Sequence, residues 1–346
     1  MAQNKEFGYL CVDSFIKDIA GARALATAFE IRLIDSLLQN KHASMDSLTE
    51  QLGTDSRGMC LLLDLLVANR VVENDSGKLS LTKEFVHALQ FRELLELKLI
   101  MTNFAAHDLL DYFSDLVSRP EQFVHKARFF RLFAYDRSFD YSHENYELTK
   151  RWVRITTTLT KYEAQVCMKY HDFGRYRRIL DIGGNSGEFV RQVCKRYPGV
   201  STTVFDLPLV CDIGLEHLRS EPEADRISFI KGNALTDSLP EGFDLIAFKS
   251  MLHDWPEKEA KQFIEKASHS LEPGGTLLIF ERGPLEVREK TLPYSMIPFL
   301  LFFHSFRSPV IYEEHLRALD FRDIKVQKII LETPFYLITA TKKLNE

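Results

Sequence analysis

Chemistry-bearing residues in the C-terminal half of the chain stand just beyond a series of short apolar runs. "RRILDIGG" ends in Asp181, Gly183 and Gly184, with Asn185 and Gly187 following. "STTVFDLP" ends at Asp206, and "RISFIKGN" at Gly232 and Asn233. "FDLIAFKSML" delivers Lys249 and then, at its mouth, His253 and Asp254, while "GGTLLIFERG" carries Glu281. A glycine turn lets a ligand approach the backbone closely. An acid at the end of the next run is placed to accept hydrogen bonds from ribose hydroxyls. The spacing is DxGGxxG and not GxGxxG, so it does not shape a phosphate cradle in the usual register. It points to a ligand with a ribose and no pyrophosphate. His253 is the side chain whose ordinary pKa, about 6.5, suits it to take a proton at neutral pH.

These residues need a sheet to gather them. The apolar runs read as strands, and helical stretches at 187 to 197, 208 to 220 and 256 to 271 separate most of them. Strands alternating with helices imply βαβ units and a parallel sheet, and ligands of such sheets sit outside the carboxyl ends of the strands. The fourth and fifth strands should be neighbours, which would let His253 and Glu281 meet across their ends. "FRDIKVQKII" and "PFYLITATKK" are joined by a short link, so they form a hairpin that gives the sheet an antiparallel end.

The N-terminal half has a different texture. Residues 12 to 40 carry apolar side chains at helical spacing. Ser44 or Asp46 caps a short helix that Gly53 ends, and Asp55 or Ser56 caps the next. "VVENDSGKLSLT" then reads as two strands about an Asp-Ser-Gly turn, completing a winged-helix pattern. Between Ser44 and Thr82 six acids face three bases, and the second helix, "MCLLLDLLVANRV", is nearly all apolar. A surface that reads DNA needs Lys and Arg for phosphates, so this is a packing module and no nucleic-acid partner is expected. Residues 83 to 170 are mostly helical and rich in aromatics.

Bulk properties narrow the class. A length of 346 residues suits two domains, and a net charge of −5 with no long single-sign run does not suggest a polyanion partner. The start, "MAQNKEFGYLCVDSF", lacks a basic stretch followed by an apolar run, so no signal peptide is expected. "MIPFLLFFHSF" is too short to span a bilayer and reads as a buried helix, so no membrane is expected. Cys11, Cys60, Cys167, Cys194 and Cys211 form no CxxC pair, which fits a reducing, cytoplasmic setting. No Asp, Glu and His cluster has metal-ligand spacing, and no metal is expected.

In order and spacing, "ILDIGGNSG", "VFDLP", "GNAL", "FKSMLHDW" and "LEPGGTLLIFERGPL" resemble the S-adenosylmethionine-dependent O-methyltransferases of the caffeic acid and hydroxyindole type. The winged-helix front half is also like theirs. The resemblance implies an α/β fold: a Rossmann-like methyltransferase sheet with a C-terminal antiparallel hairpin, preceded by a mainly α winged-helix dimerisation domain. It implies boundaries at 1–90 for the dimerisation domain, 91–170 for a helical connector contributing to the dimer and acceptor pocket, and 171–346 for the catalytic domain. It also implies a homodimer, S-adenosylmethionine as cofactor and a small-molecule acceptor bearing a phenolic or enolic hydroxyl.

Carried over by position, Gly183 would lie by the methionine part of the cofactor, and Asp181 is a further cofactor-binding candidate. Asp206 would hold the ribose, Leu207 would pack on the adenine, and Asn233 and Ala234 would stand around it, with Lys249 nearby. His253 matches the general base and Glu281 the carboxylate that orients it. For the acceptor pocket, Met296, Phe299 and Phe303 stand with His304 at helical spacing, and Phe104 and His107 are further candidates. The chain departs from the family at three places. Asn185 replaces a glycine, though Asn tolerates left-handed backbone. Asn233 replaces an acid. Phe306, followed by Arg307 and Ser308, stands where a second glutamate supports the histidine. A base lacking that carboxylate leaves room for an alternative: a relative that binds S-adenosylmethionine and performs hydroxylation, decarboxylation or a pericyclic step. A non-enzymatic winged-helix regulator is the other alternative.

Overall fold

The computed structural model describes residues 6–287 and 292–344. They fall into two compact units, one of Met1–Ala127 with Val287–Leu301, the other of Arg128–Glu286 with Phe302–Glu346.

The first unit opens with a 3-10 helix at Gly8–Phe15, then α1 (Ile19–Glu30), α2 (Leu33–Asn40), α3 (Met45–Leu52) and α4 (Ser56–Ala68). The apolar spacing over 12–40 is therefore shared among separate helices. Arg32 takes a left-handed backbone, φ +64°, and breaks the run between α1 and α2. Ser44 caps α3, its Oγ accepting from the Ser47 N–H at 3.2 Å, and Asp55 caps α4 through the Gly58 N–H at 2.8 Å. Strands β1 (Val72–Asp75) and β2 (Lys78–Leu81) pair antiparallel about Ser76 and Gly77, whose φ of +52° and +87° make the tight primed turn a two-residue hairpin needs. Helices α5 (Lys83–Ala88), α6 (Arg92–Ser118) and α7 (Pro120–Lys126) complete this stretch, and α6 packs on α1.

The second unit begins with α8 (Arg128–Arg131) and α9 (His143–Tyr170). The alternating part follows: β3 (Arg178–Ile182), α10 (Glu188–Arg196), β4 (Ser201–Asp206), α11 (Pro208–Leu218), β5 (Ile227–Lys231), β6 (Phe243–Lys249), α12 (Glu257–Ser270) and β7 (Leu271–Arg282). In the first unit again lies α13 (Ile297–Leu301). The second unit closes with α14 (Pro309–Ala318), β8 (Arg322–Ile330) and β9 (Pro334–Thr341). The seven-stranded sheet has the order β5-β4-β3-β6-β7-β9-β8, parallel from β5 to β7, with β9 antiparallel to both β7 and β8. The chain moves outward from β3 through β4 to β5 and returns to β6 on the other side of β3. The crevice at that switch point, beyond the carboxyl ends of β3, β4 and β6, is where such sheets hold ligands. Leu180, Ile182, Ile246, Phe248, Leu277 and Ile279 are fully buried, as central parallel strands require when both faces are covered.

The stretch 296–306 is not one buried helix. Helix α13 ends at Leu301, and the N–H groups of Ser305 and Phe306 both turn back to the Phe302 carbonyl. Met296 and Phe299 thus belong to the first unit, while Phe302, Phe303 and Phe306 belong to the second. Packing of the phenyl rings described below overrides the apolar helical period.

Candidate active site

Glycine makes the first turn possible. Gly183 has φ +69°, and a Cβ there would come within 2.5 Å of Met251 Cγ; one on Gly184 would come within 2.6 Å of Asp181 Oδ2. Asn185 takes φ +57°, the left-handed conformation its short amide tolerates. Asp181 lies beneath this turn, 1% exposed, and neither of its carboxyl oxygens has a hydrogen-bond partner among the described residues. Burial pushes its pKa up to about 8, against the pull of Lys249. Such a carboxyl is ready to ionise against a cation that a ligand brings.

At the end of β4, each Asp206 oxygen accepts one backbone N–H: Oδ1 from Leu207 and Oδ2 from Asn185, both at 2.7 Å. A carboxylate oxygen can accept more than one hydrogen bond, so both can still receive a hydroxyl. Burial raises this carboxyl to about 6, while the two N–H groups hold it down. Leu207 packs with Trp152, Val153, Val210 and Ile213 in an apolar cluster beside it. Beyond β5, Asn233 Oδ1 accepts the Leu235 N–H, so the carboxamide shapes its own turn. Ala234 is half-buried next to it. An unpartnered buried acid under a glycine turn, with a second acid of spare accepting capacity on the next strand, suits a ligand that carries an amine and vicinal hydroxyls.

Lys249, whose charge acts on Asp181, also reaches α9. Its Nζ donates to Thr160 Oγ1 at 2.8 Å and pairs with Glu163 of α9. Glu163 also pairs with Arg282 from the end of β7. Burial by itself would lift the Glu163 carboxyl, but Arg282 and Lys249 prevail and hold it at about 2. Thr156 and Thr157, earlier on α9, donate to Asn185 Oδ1 at 2.9 Å and to Ser186 Oγ at 2.6 Å. Threonines 156, 157 and 160 with Glu163 fall on one helical face, so α9 grips both the glycine turn and the end of β6. A threonine run with an acid one turn beyond it, "TTTLTKYE", was the available sequence signal for this buried polar face.

His253 rides on the 3-10 turn Leu252–Asp254 that follows β6, and Glu281 ends β7 beside it. The two meet: His253 Nδ1 lies 2.7 Å from Glu281 Oε2. Glu281 Oε1 accepts the N–H groups of Met251 and Leu252, each at 2.7 Å, so the carboxylate is held at three points. Asp254 does not turn away from the histidine, as its adjacency in sequence suggests it should; its Oδ1 is 3.4 Å from His253 Nε2. Nor does it cap α12, whose N-cap is Pro256. Burial pushes the imidazole pKa down, but Asp254 and Glu281 outweigh it and hold the ring above its ordinary value. Arg307 ties both ends of the turn, donating Nη1 to the Leu252 carbonyl at 2.8 Å and Nη2 to that of Trp255.

Aromatic rings close over the imidazole. Phe306 lies 5.4 Å away between ring centres and Phe302 6.0 Å away, edge-on. Phe129, Phe130 and Phe133 pack on Phe302 in turn. Phe303, the neighbour proposed from helical spacing, is 44% exposed and packs on His304 instead. Phe104 and His107 stand on α6, half-buried and exposed, and Met296 and Phe299 are buried in the first unit with them. Sequence spacing missed Phe302, Phe133, Tyr135 and Arg307, since contacts between distant segments leave no period to read.

Residues 113–319 match the family model of the O-methyltransferase domain, and residues 15–85 that of the O-methyltransferase dimerisation domain. Acetylserotonin O-methyltransferase of Gallus gallus is 27% identical over 325 residues, spanning 89% of this chain and 90% of that protein. The 3-hydroxy-5-methyl-1-naphthoate 3-O-methyltransferase of Streptomyces sahachiroi is 34% identical over 110 residues, 32% of each chain. Human N-acetylserotonin methyltransferase, solved in complex with S-adenosylmethionine, shares the fold with a TM-score of 0.64 at 20% identity, over 93% of this chain and 94% of that one. The chain belongs to the O-methyltransferase family and is an S-adenosylmethionine-dependent O-methyltransferase.

Proposed function

We propose that the chain methylates a phenolic or enolic hydroxyl of a small, flat, apolar molecule, with His253 as general base, and that it works as a homodimer. The pairing of His253 with Glu281 at the carboxyl ends of β6 and β7 carries this reading. Asp206 would accept the ribose hydroxyls, Leu207 would pack on the adenine with Asn233 and Ala234 beside it, and Asp181 and the turn at Gly183 would take the amino-acid end. S-Adenosylmethionine supplies a sulfonium methyl whose departure leaves a neutral thioether, so the chain needs no acid. Its task is to take a proton from a weakly acidic hydroxyl. Because Glu281 accepts from Nδ1, the proton of the neutral imidazole sits there and Nε2 keeps its lone pair for the acceptor. The phenyl rings exclude water and would flank a planar acceptor. Lys249 acts at one remove, by anchoring α9 through Thr160 and Glu163.

Labelled S-adenosylmethionine, incubated with a panel that includes N-acetylserotonin and hydroxynaphthoates, should yield labelled product and S-adenosylhomocysteine in equal amounts. Tight binding of S-adenosylmethionine without its consumption, alongside conversion of an acceptor, would instead favour non-methylating chemistry.

Asp206→Asn should weaken S-adenosylhomocysteine binding by about 10–100-fold in calorimetry, the equivalent of one hydrogen bond to a charged group. In the unaltered protein the affinity should fall as pH drops through about 6, where the Asp206 carboxyl takes up its proton. An affinity flat across that range would remove Asp206 from the site.

A further inference from the structure

We propose that Asp254 is the second carboxylate of the base, facing the imidazole nitrogen that Glu281 leaves open, and that Tyr135 holds it in place. This rests on the reading of His253 as the base. The resemblance puts a second glutamate at the position of Phe306, and a phenyl ring packs against the imidazole there. Asp254 supplies a charge that this ring cannot. Asp254 Oδ1 stands 3.4 Å from Nε2, near enough to act on a developing charge and far enough to leave the lone pair approachable. Its other oxygen, Oδ2, accepts the Tyr135 hydroxyl at 2.6 Å.

Tyr135 is itself fixed. Its ring stacks on Trp255 at 5.9 Å and 18°, and meets Trp152 edge-on at 5.7 Å. Burial, then Asp254, raises the phenol pKa far above its ordinary value, so the hydroxyl stays a donor. The other charges facing this group are Glu281 and Arg282 from the end of β7, with Asp206 acting on Tyr135. The Arg307 guanidinium is engaged by the Leu252 and Trp255 carbonyls.

The consequence is a carboxylate at each ring nitrogen, 2.7 Å from Nδ1 and 3.4 Å from Nε2. As the acceptor O–H breaks, an N–H forms at Nε2 and the electron pair stays on oxygen as the nucleophile. The imidazolium then lies between Glu281 at Nδ1 and Asp254 at Nε2. After transfer, Nε2 returns its proton to solvent. Asp254 and Tyr135 are positioning residues, acting through the charge on His253.

The test is titration of the His253 ring by heteronuclear NMR in the ligand-free protein. Asp254→Asn should lower the imidazole pKa by about one unit, the size expected for loss of one opposite charge at this range. Asp254→Glu should restore most of that unit, and it covers the case in which the amide variant folds poorly. Tyr135→Phe should raise the Asp254 carboxyl titration, read from its 13Cγ shift, and should leave the imidazole unmoved once Asp254 is Asn. An imidazole that titrates unchanged in Asp254→Asn overturns the proposal, as does a Tyr135→Phe effect that persists in the Asp254→Asn background. Failure of the underlying base assignment shows differently, as turnover that survives in His253→Gln.

Discussion

His253→Gln is expected to lower kcat by roughly 10²–10⁴-fold, the usual contribution of a positioned general base. Glutamine fills much of the same volume and can hydrogen-bond Glu281, but it cannot take a proton. Affinity for S-adenosylhomocysteine, measured calorimetrically, should stay within about twofold of the unaltered protein, because the acids assigned to that ligand lie at the ends of β3 and β4. The pH profile gives the sign independently. A base works only in its neutral form, so kcat/KM should fall as pH drops through the imidazole pKa. Asp254 and Glu281 hold that pKa above the ordinary 6.5, so the acidic limb should lie above 6.5 and vanish in the glutamine variant. A residual rate of more than a tenth, with the limb intact, would show that another group takes the proton.

Glu163→Gln should destabilise the protein by about 3–5 kcal/mol, the range for breaking a buried ion pair by removing one partner. Glu163 is 2% exposed and sits between Lys249, 8% exposed, and Arg282, 7% exposed. A neutral amide would leave two cations buried side by side, with Glu332, 3.6 Å from Arg282, as a remaining counter-charge. Urea unfolding should show the loss as a lower midpoint with an unchanged slope. Replacing Glu163 and Lys249 together by Leu and Met should recover part of it, because no lone ammonium then remains at that site. The pH dependence follows from the sign of the shift. The folded value of about 2 lies below the ordinary 4.5, so this stabilisation is complete above pH 4.5 and is lost as pH falls from there towards 2. Loosening α9 should also weaken S-adenosylhomocysteine binding, since Thr156 and Thr157 on the same face brace the glycine turn. An unchanged midpoint would mean that the buried charges relax into solvent.

Much of the architecture could be read from the order of residues. Apolar runs broken by turn residues mark each strand of the large sheet to within three residues at either end. The side chains just past those runs were the ones that gather at its carboxyl edge. Strand ends are local features: an acid or glycine after an apolar run is placed there by the covalent chain once the sheet forms. His253 and Glu281 could be paired on paper for the same reason, because they end neighbouring strands. The caps at Ser44 and Asp55 and the Ser76–Gly77 turn are equally local.

What surrounds the imidazole depends on segments far apart in the chain, and no period records those contacts. The apolar stripe over 296–306 promised a helix presenting Phe299 and Phe303. The chain turns after Leu301 instead, because Phe302 and Phe306 gain more by packing on Phe129, Phe130, Phe133 and His253 than by continuing the helix. Lys249 stood at a strand end as expected, yet its partner proved to be a glutamate from α9, 86 residues earlier in the chain. Asp254 follows His253 directly and still comes within 3.4 Å of its Nε2, because the two stand in a 3-10 turn and not on a strand, where successive side chains point to opposite faces. Sequence therefore carried the groups that the backbone itself places. Their charge states and partners are decided only by burial among neighbours, which raises the pKa of an unpartnered carboxyl at Asp181 and sets a lone histidine beside two acids.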